Sequence, residues 1–143
     1  MSLDDRYTRY VGRPGWSVDV EVAETDGNRI VDTEGNRYVD LIAGWCTVNA
    51  GYGRGEIVQA AQEAADRAAY VRPTYRDERI VDLAETLAEV TPGDLSHTFR
   101  APSGTESVEL ALKAARLQTG KETIVANRGA YHGHAMGAIS LTS

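Results

Sequence analysis

The stretch between residues 97 and 126 limits the possible folds most strongly, because strand-like and helix-like patterns alternate there. Residues 97–101 and 123–126 are short runs that predict strands, and the second run is apolar enough for a buried strand. Between them, Gly104–Thr119 has the composition of a helix, and Gly120 is a typical residue for its end. Strand, helix and strand in this order predict parallel strands joined by a crossover helix. The predicted fold class is therefore α/β.

A different pattern of short β-like runs covers residues 18–43. Valines alternate with polar residues from Val18 to Val22, as in a half-buried strand. Two turn segments, Asp26-Gly27-Asn28 and Glu34-Gly35-Asn36, tolerate positive φ and separate this run from two further apolar runs. We therefore predict a three-stranded meander.

Four further segments surround these patterns. Residues 1–16 mix charged and aromatic side chains with glycine and proline, which predicts an irregular arm containing a helical turn. Glycines make residues 44–55 a predicted loop with close backbone approaches. Residues 56–69 are rich in Ala, Gln and Glu, and apolar residues recur at helical spacing over 79–90, so we predict a helix in each.

The composition excludes several classes of function. The chain has 143 residues and a net charge of −6, which argues against a general attraction to nucleic acid or to anionic membranes. Cys46 is the single cysteine, so no internal disulfide can form. No apolar run approaches the roughly 20 residues of a membrane span, and the charged N-terminus is unlike a signal peptide. These features lead us to expect a cytoplasmic protein.

The strongest candidate site is Ser103-Gly104-Thr105-Glu106, between a predicted strand and a predicted helix. Glycine allows the backbone to approach a ligand closely, and the first N–H groups of a helix are unpaired and lie at the positive end of its dipole. These properties suit a phosphate group. The alternative is purely structural, because Ser103 and Glu106 have the spacing of a capping box, and capping boxes outnumber phosphate sites.

A second candidate, Tyr131-His132-Gly133, follows the predicted strand at 123–126 and would lie at the ligand-binding edge of the sheet. Tyr131 is suited to stacking on a flat heteroaromatic ring, and Gly133 would leave room for it. The motif is weak alone, and a core tyrosine beside a surface histidine is the simpler interpretation. The histidines show no metal-ligand spacing, so we predict no metal site.

The glycine-rich loop contains two further candidate residues, Trp45 and Cys46. Trp45 is suited to lining a pocket, although a tryptophan among glycines more often fills a core. Cys46 has no base near it in sequence, which argues against a role as a nucleophile.

In this order, the motifs together resemble the class III aminotransferases, the ornithine, 4-aminobutyrate and omega-amino acid type of pyridoxal-phosphate (PLP) enzyme. The resemblance runs over nearly the whole chain from about residue 18, and four segments carry it: DTEGNRYVD at 32–40, NAGYG at 49–53, SGTESVELALKAAR at 103–116 and GAYHG at 129–133. The sequence departs from the commoner family pattern at Tyr52, often a histidine, and at Gly55, often a proline. Neither change touches the expected cofactor contacts.

The resemblance implies a fold-type-I PLP-transferase, of which this chain would be the N-terminal part. Residues 1–50 would form the arm and meander of the small domain, and residues 51–143 the start of the PLP-binding large domain. The implied cofactor-binding residues are Ser103, Gly104, Thr105, Tyr131 and His132. In these roles, Gly104 and Thr105 would bind the phosphate, with Ser103 beside them. Tyr131 would stack on the pyridine ring, and His132 would support the loop that carries Tyr131.

The resemblance also implies that the chain lacks part of the catalytic machinery. In the family, the Schiff-base lysine, the carboxylate at the pyridine nitrogen and an arginine for substrate carboxylates lie further along. Lys113 and Lys121 are the only lysines, and neither is at the matching position. We therefore assign no catalytic residue, and Trp45 is the one implied substrate contact. The expected parent is a homodimeric transaminase acting on an amino donor and a 2-oxo acid, with this segment inactive alone.

A non-enzymatic alternative stays open from the sequence. The chain would then be an interaction module or a decayed gene product that pairs with an aminotransferase subunit. An unpaired strand edge and an uncovered apolar helix face would also favour aggregation.

Overall fold

The computed structural model describes residues 2–11, 18–68 and 70–143. The chain divides into two compact units, Met1–Pro73 and Thr74–Ser143. The domain boundary expected between residues 50 and 51 concerns the complete family fold and stays a prediction.

The first unit begins with helix α1, Leu3–Tyr10. A complete capping box starts it, because the Asp5 N–H donates to Ser2 Oγ at 3.1 Å and the Ser2 N–H donates to Asp5 Oδ2 at 2.9 Å. The helical turn predicted within the arm is confirmed, and it is longer than expected, because this segment forms two turns of helix. The reciprocal Ser2 and Asp5 bonds satisfy two donors that would otherwise be unpaired. Residue 1 and residues 12–16 of the predicted arm lie outside the described part of the chain.

The predicted meander is confirmed. Its strands are β1 (Val22–Asp26), β2 (Arg29–Asp32) and β3 (Arg37–Val39), paired antiparallel in the order β1-β2-β3. The first strand begins at Val22 rather than at Val18. A strand exists only where its backbone finds a partner, and the register with β2 starts at the pair of Val22 with Asp32.

Asp32 holds the turn between β2 and β3. Its Oδ1 accepts the N–H groups of Glu34 at 2.9 Å and of Asn36 at 2.8 Å, while Oδ2 accepts the Asn36 side-chain amide and the Tyr38 hydroxyl, both at 2.9 Å. Chiefly because the Asn36 amide donates to the carboxylate, the pKa of Asp32 lies below its ordinary value. The turn therefore depends on an ionised Asp32.

The segment after the meander contains a left-handed helical turn, α2 (Ala43–Cys46), where a loop was predicted. Its φ values are 51° at Ala43, 56° at Gly44, 62° at Trp45 and 62° at Cys46. A left-handed conformation costs roughly 1–2 kcal/mol for each residue with a Cβ. The prediction missed it because only one of the four residues is glycine.

Asp40 supplies acceptors that hold this turn. Its carboxylate accepts the N–H groups of Ile42 and Gly44, each at 2.8 Å, and the Tyr52 hydroxyl at 2.7 Å. These bonds, with that of Tyr52 first, lower the pKa of Asp40. The same contact raises the pKa of Tyr52. Three hydrogen bonds to one carboxylate offset part of the cost of the left-handed backbone.

The described part of the chain contains four more helices: α3 (Gly55–Ala68), α4 (Glu78–Val90), α5 (Gly104–Thr119) and α6 (Met136–Ile139). The first three confirm the predicted helices. Gly120 ends α5 in the left-handed conformation, with φ of 66°, and its N–H donates to the Arg116 carbonyl at 2.8 Å.

The two strands predicted at residues 97–101 and 123–126 are wrong, because the only ladder in the described ranges is the antiparallel meander. Strand–helix–strand spacing indicates a crossover, but a strand also needs a hydrogen-bonded neighbour. These two runs do not pair with each other, and no other described segment forms a ladder with them. The structure is mixed α/β, with a small antiparallel sheet.

Little apolar surface is buried. Among the described residues, Ala138 is the one fully buried apolar side chain. The accessible surface is 12258 Å². Contacts between neighbouring backbone and polar groups therefore contribute more to order here than a packed core. In the described ranges, no helix has both the length and the apolar character needed to cross a bilayer.

Replacing Gly44 with alanine should destabilise the first unit by about 1–3 kcal/mol. Alanine at this position would have to keep the left-handed backbone conformation, and its Cβ would lie 2.8 Å from Val48 Cγ2. Gly55→Ala is the matched control, since Gly55 has open space around it and begins a helix, where alanine is favourable. Urea unfolding followed by circular dichroism measures both variants. Equal stabilities would contradict the left-handed turn.

Acid should weaken the meander through Asp32. A carboxyl whose pKa is lowered by folding stabilises the fold above its unfolded value, 3.8, and this contribution is lost as the pH falls below 3.8. The urea midpoint should therefore drop more between pH 6 and pH 3 in the wild type than in Asp32→Asn. Glu24→Gln, on exposed β1, should retain the wild-type pH dependence. An unchanged drop in Asp32→Asn would exclude Asp32 as the group responsible.

Candidate functional site

Helix α5 begins with the predicted cap. Ser103 is extended, with φ of −151° and ψ of 159°, and its Oγ accepts the Glu106 N–H at 3.2 Å. The Ser103 hydroxyl also donates to Glu106 Oε2 at 3.2 Å. The capping interpretation is therefore confirmed for the bond from Glu106 N–H to Ser103 Oγ. The reciprocal half differs, since the Glu106 carboxylate contacts the serine hydroxyl instead of the serine N–H.

Capping leaves two backbone donors at the start of α5. The Ser107 N–H donates to the Ser103 carbonyl at 3.0 Å, and the Glu106 N–H is used by the cap. The N–H groups of Gly104 and Thr105 have no hydrogen-bond acceptor among the described residues. They lie at the positive end of a 16-residue helix. Capping therefore leaves two donors of this helix end available to another acceptor.

The structure brings the two predicted motifs together. Gly133 is buried, has φ of 118° and lies directly against Thr105. A Cβ added at Gly133 would come within 2.8 Å of Thr105 Cβ and 2.9 Å of Thr105 Cγ2. The loop that carries Tyr131 therefore approaches the start of α5 only because residue 133 has no side chain.

Tyr131 and His132 differ in their surroundings. Tyr131 is 59% exposed, and its hydroxyl lies 3.0 Å from His134 Nδ1 with the two rings edge to face. The sequence analysis missed His134 as its partner. The His132 N–H donates to Thr142 Oγ1 at 2.9 Å, whereas His132 Nε2 is buried without a partner in the described ranges. The Tyr131 ring is thus accessible, and the backbone of His132 holds the loop through its hydrogen bond to Thr142.

Glu109 is a residue of the site that motif analysis did not single out. Its Oε1 accepts the Ala138 N–H at 2.8 Å, across 29 positions of sequence. Glu109 follows Thr105 by four residues, and residues four apart share one face of a helix. The four-residue spacing from Thr105 could have identified Glu109 from the sequence, because Thr105 was already a candidate.

The remaining candidates lie elsewhere. Trp45 is 61% exposed and Cys46 is exposed, and both belong to the first compact unit. Lys113 and Lys121 are exposed, and even the nearer Lys113 is about 14 Å along the axis from Gly104. In the part of the chain that the structure describes, no group of three or more His, Cys, Asp or Glu side chains is arranged to hold a metal ion.

Comparisons with known proteins agree on one family. The model of aminotransferase class-III matches residues 10–143. Acetylornithine aminotransferase of Methanopyrus kandleri is 40% identical over 123 residues, 86% of this chain and 32% of the relative. The chain thus spans about a third of the length of the curated relative it matches.

Two solved structures match over most of the chain. A transaminase from the marine bacterium Virgibacillus superposes with a TM-score of 0.90 at 28% identity, covering 99% of this chain and 36% of that one. The taurine:2-oxoglutarate aminotransferase of Bifidobacterium kashiwanohense, solved with PLP and glutamate, gives 0.81 at 31% identity, covering 92% and 30%. The structural match is therefore to fold-type-I aminotransferases over part of their length.

Gly133→Ala should separate the Tyr131 loop from α5, whereas Gly129→Ala should not. Both glycines have positive φ, so both variants carry the backbone cost of about 1–2 kcal/mol. Only the Cβ at position 133 also meets Thr105, since the one at position 129 meets nothing within 4 Å. Amide hydrogen exchange across residues 129–143 measures the difference. Equal exchange in the two variants would contradict the contact with Thr105.

Proposed function

Because the chain belongs to the class III aminotransferase family, we propose that it supplies the phosphate-holding part of a PLP site. The site would serve an enzyme that moves an amino group between an amine or amino acid and a 2-oxo acid. Class III aminotransferases are PLP-dependent. The printed names of the relatives differ in substrate, acetylornithine in one and taurine in another, so the shared activity is amino transfer.

One observation carries the proposal: two unpaired N–H groups at the start of α5, with Gly133 packed beside them. A phosphate accepts hydrogen bonds from such donors and is stabilised by the helix dipole. Gly104 has open space around it, so a ligand can approach its backbone. The residues present fit the phosphate end of PLP.

Each residue has a distinct role in the proposal. The N–H groups of Gly104 and Thr105 donate to the phosphate. The Ser103 hydroxyl binds the Glu106 carboxylate and leaves these two N–H groups available. Tyr131 offers its exposed ring as a stacking surface for the pyridine ring. His132 holds this loop through its backbone bond to Thr142. When bound, PLP supplies an electron-withdrawing ring for the reaction.

The proposed phosphate site supplies only one part of the amino-transfer activity. PLP-dependent transfer needs a lysine at the aldehyde end of the cofactor, and Lys113 projects from α5 about 14 Å beyond the phosphate donors. We therefore assign no catalytic residue to the chain. The proposal has three further parts, which follow from the family resemblance. They are Trp45 as a substrate contact, a homodimeric assembly and a cytoplasmic location.

A second candidate function is a non-catalytic interaction module that pairs with an aminotransferase subunit. The observation that favours it is the exposure of large apolar side chains, such as Leu117 at 86% and Val125 at 90%. Sedimentation velocity of the chain with and without a full-length class III enzyme distinguishes the two. If the chain forms a stable complex with the full-length enzyme but has no affinity for PLP by itself, the interaction module is favoured.

Glu106→Gln should strengthen anion binding. The carboxylate lies in the first turn of α5 and competes electrostatically with a phosphate, so its removal should raise the affinity for inorganic phosphate about two- to fivefold. Glu85→Gln is the control, because it changes the net charge equally on the exposed face of α4. Isothermal titration of the 143-residue chain with phosphate and with PLP gives the affinities.

The two outcomes separate phosphate binding from simple capping. If the start of α5 only closes a helix, neither ligand binds in a way that depends on Glu106. If PLP binds, inorganic phosphate should displace it, and pyridoxal without phosphate should bind more weakly.

A further inference from the structure

The loop from residue 129 to residue 143 is closed on itself by hydrogen bonds. Thr142 Oγ1 accepts the His132 N–H and lies 3.2 Å from the Ala138 carbonyl, to which it can donate. The Gly129 N–H donates to Ser143 Oγ at 2.8 Å. Tyr131 and Gly133 are therefore carried by a segment with its own internal order.

Two contacts attach this loop to α5. Gly133 packs against Thr105, and the Ala138 N–H donates to Glu109 Oε1 at 2.8 Å. The second is the one hydrogen bond between α5 and the loop among the described residues. Gly137 lies beside the same carboxylate, since a Cβ there would come within 2.7 Å of Glu109 Oε2.

The two contacts lie on one face of the helix. Thr105 and Glu109 are four residues apart, about 6 Å along the axis. One contact would act as a hinge for the loop, whereas two contacts one turn apart set its orientation. Without the Glu109 bond, the loop would rotate about Gly133 and carry the Tyr131 ring with it.

We propose that Glu109 is a positioning residue that orients the Tyr131 ring relative to the phosphate donors at the start of α5. The proposal rests on the proposed PLP function. The N–H groups of Gly104 and Thr105 belong to the helix itself and do not depend on Glu109. Glu109 should therefore affect the recognition of the cofactor ring and leave the recognition of phosphate alone.

The test compares the affinities of PLP and inorganic phosphate in the 143-residue chain. Glu109→Ala should weaken PLP binding about tenfold and leave phosphate binding within about twofold. Glu109→Gln retains an acceptor oxygen and should restore most of the PLP affinity. Gly137→Ala should reproduce the Glu109→Ala result, because its methyl group displaces the carboxylate from the Ala138 N–H.

Amide hydrogen exchange provides a readout that needs no ligand. Protection of the Ala138 amide should fall about fivefold to tenfold in Glu109→Ala and Gly137→Ala, while amides in the middle of α5 keep theirs. Combining Glu109→Ala with Gly137→Ala should add little to either single change, because both remove one bond.

The outcomes separate this proposal from the one on which it rests. If the wild-type chain binds neither ligand, the proposed PLP function is wrong, and the positioning role falls with it. If the wild type binds PLP and Glu109→Ala lowers only the Ala138 protection, Glu109 is merely structural and this inference is overturned. An equal loss of PLP and phosphate affinity would also overturn it, because Glu109 would then support α5 itself.

Discussion

Side-chain oxygens that accept hydrogen bonds from backbone N–H groups recur at the turns and helix ends of this chain. Ser2 begins α1, Asp32 holds the β2–β3 turn, Asp40 holds the left-handed turn, and Ser103 begins α5. Each acceptor lies within four residues of its donor. With so little apolar surface buried, these short-range bonds determine the conformation of each turn, and the rest of the structure is arranged between them.

The same interaction explains how a structural cap can coexist with the proposed phosphate site. A helix begins with four N–H groups that have no partner within the helix. In α5 the cap uses the N–H of Glu106, and the donors of Gly104 and Thr105 stay available. Glu109 extends the principle to a distant donor, the Ala138 N–H. It thereby links the helix with available donors to the loop with an exposed aromatic ring.

The predictions that succeeded rest on neighbouring residues. Helices α3, α4 and α5 follow from composition, apolar spacing and end signals such as Gly120, and the meander follows from two turns containing glycine. The unsuccessful strand predictions needed a partner distant in sequence. The runs at 97–101 and 123–126 are suited to strands, yet no described segment forms a ladder with them. The left-handed turn was missed for a different reason, because only Gly44 among its four residues is glycine.

The sequence by itself determined the family and most of the helix ends, because a cap, a turn and a helical period are all encoded within a few positions. Only the tertiary structure decided that Gly133 lies on Thr105, that Glu109 accepts the Ala138 N–H and that Tyr131 meets His134. The first two contacts join residues about 28 or 29 positions apart. They depend on how the chain folds back, which no local pattern specifies.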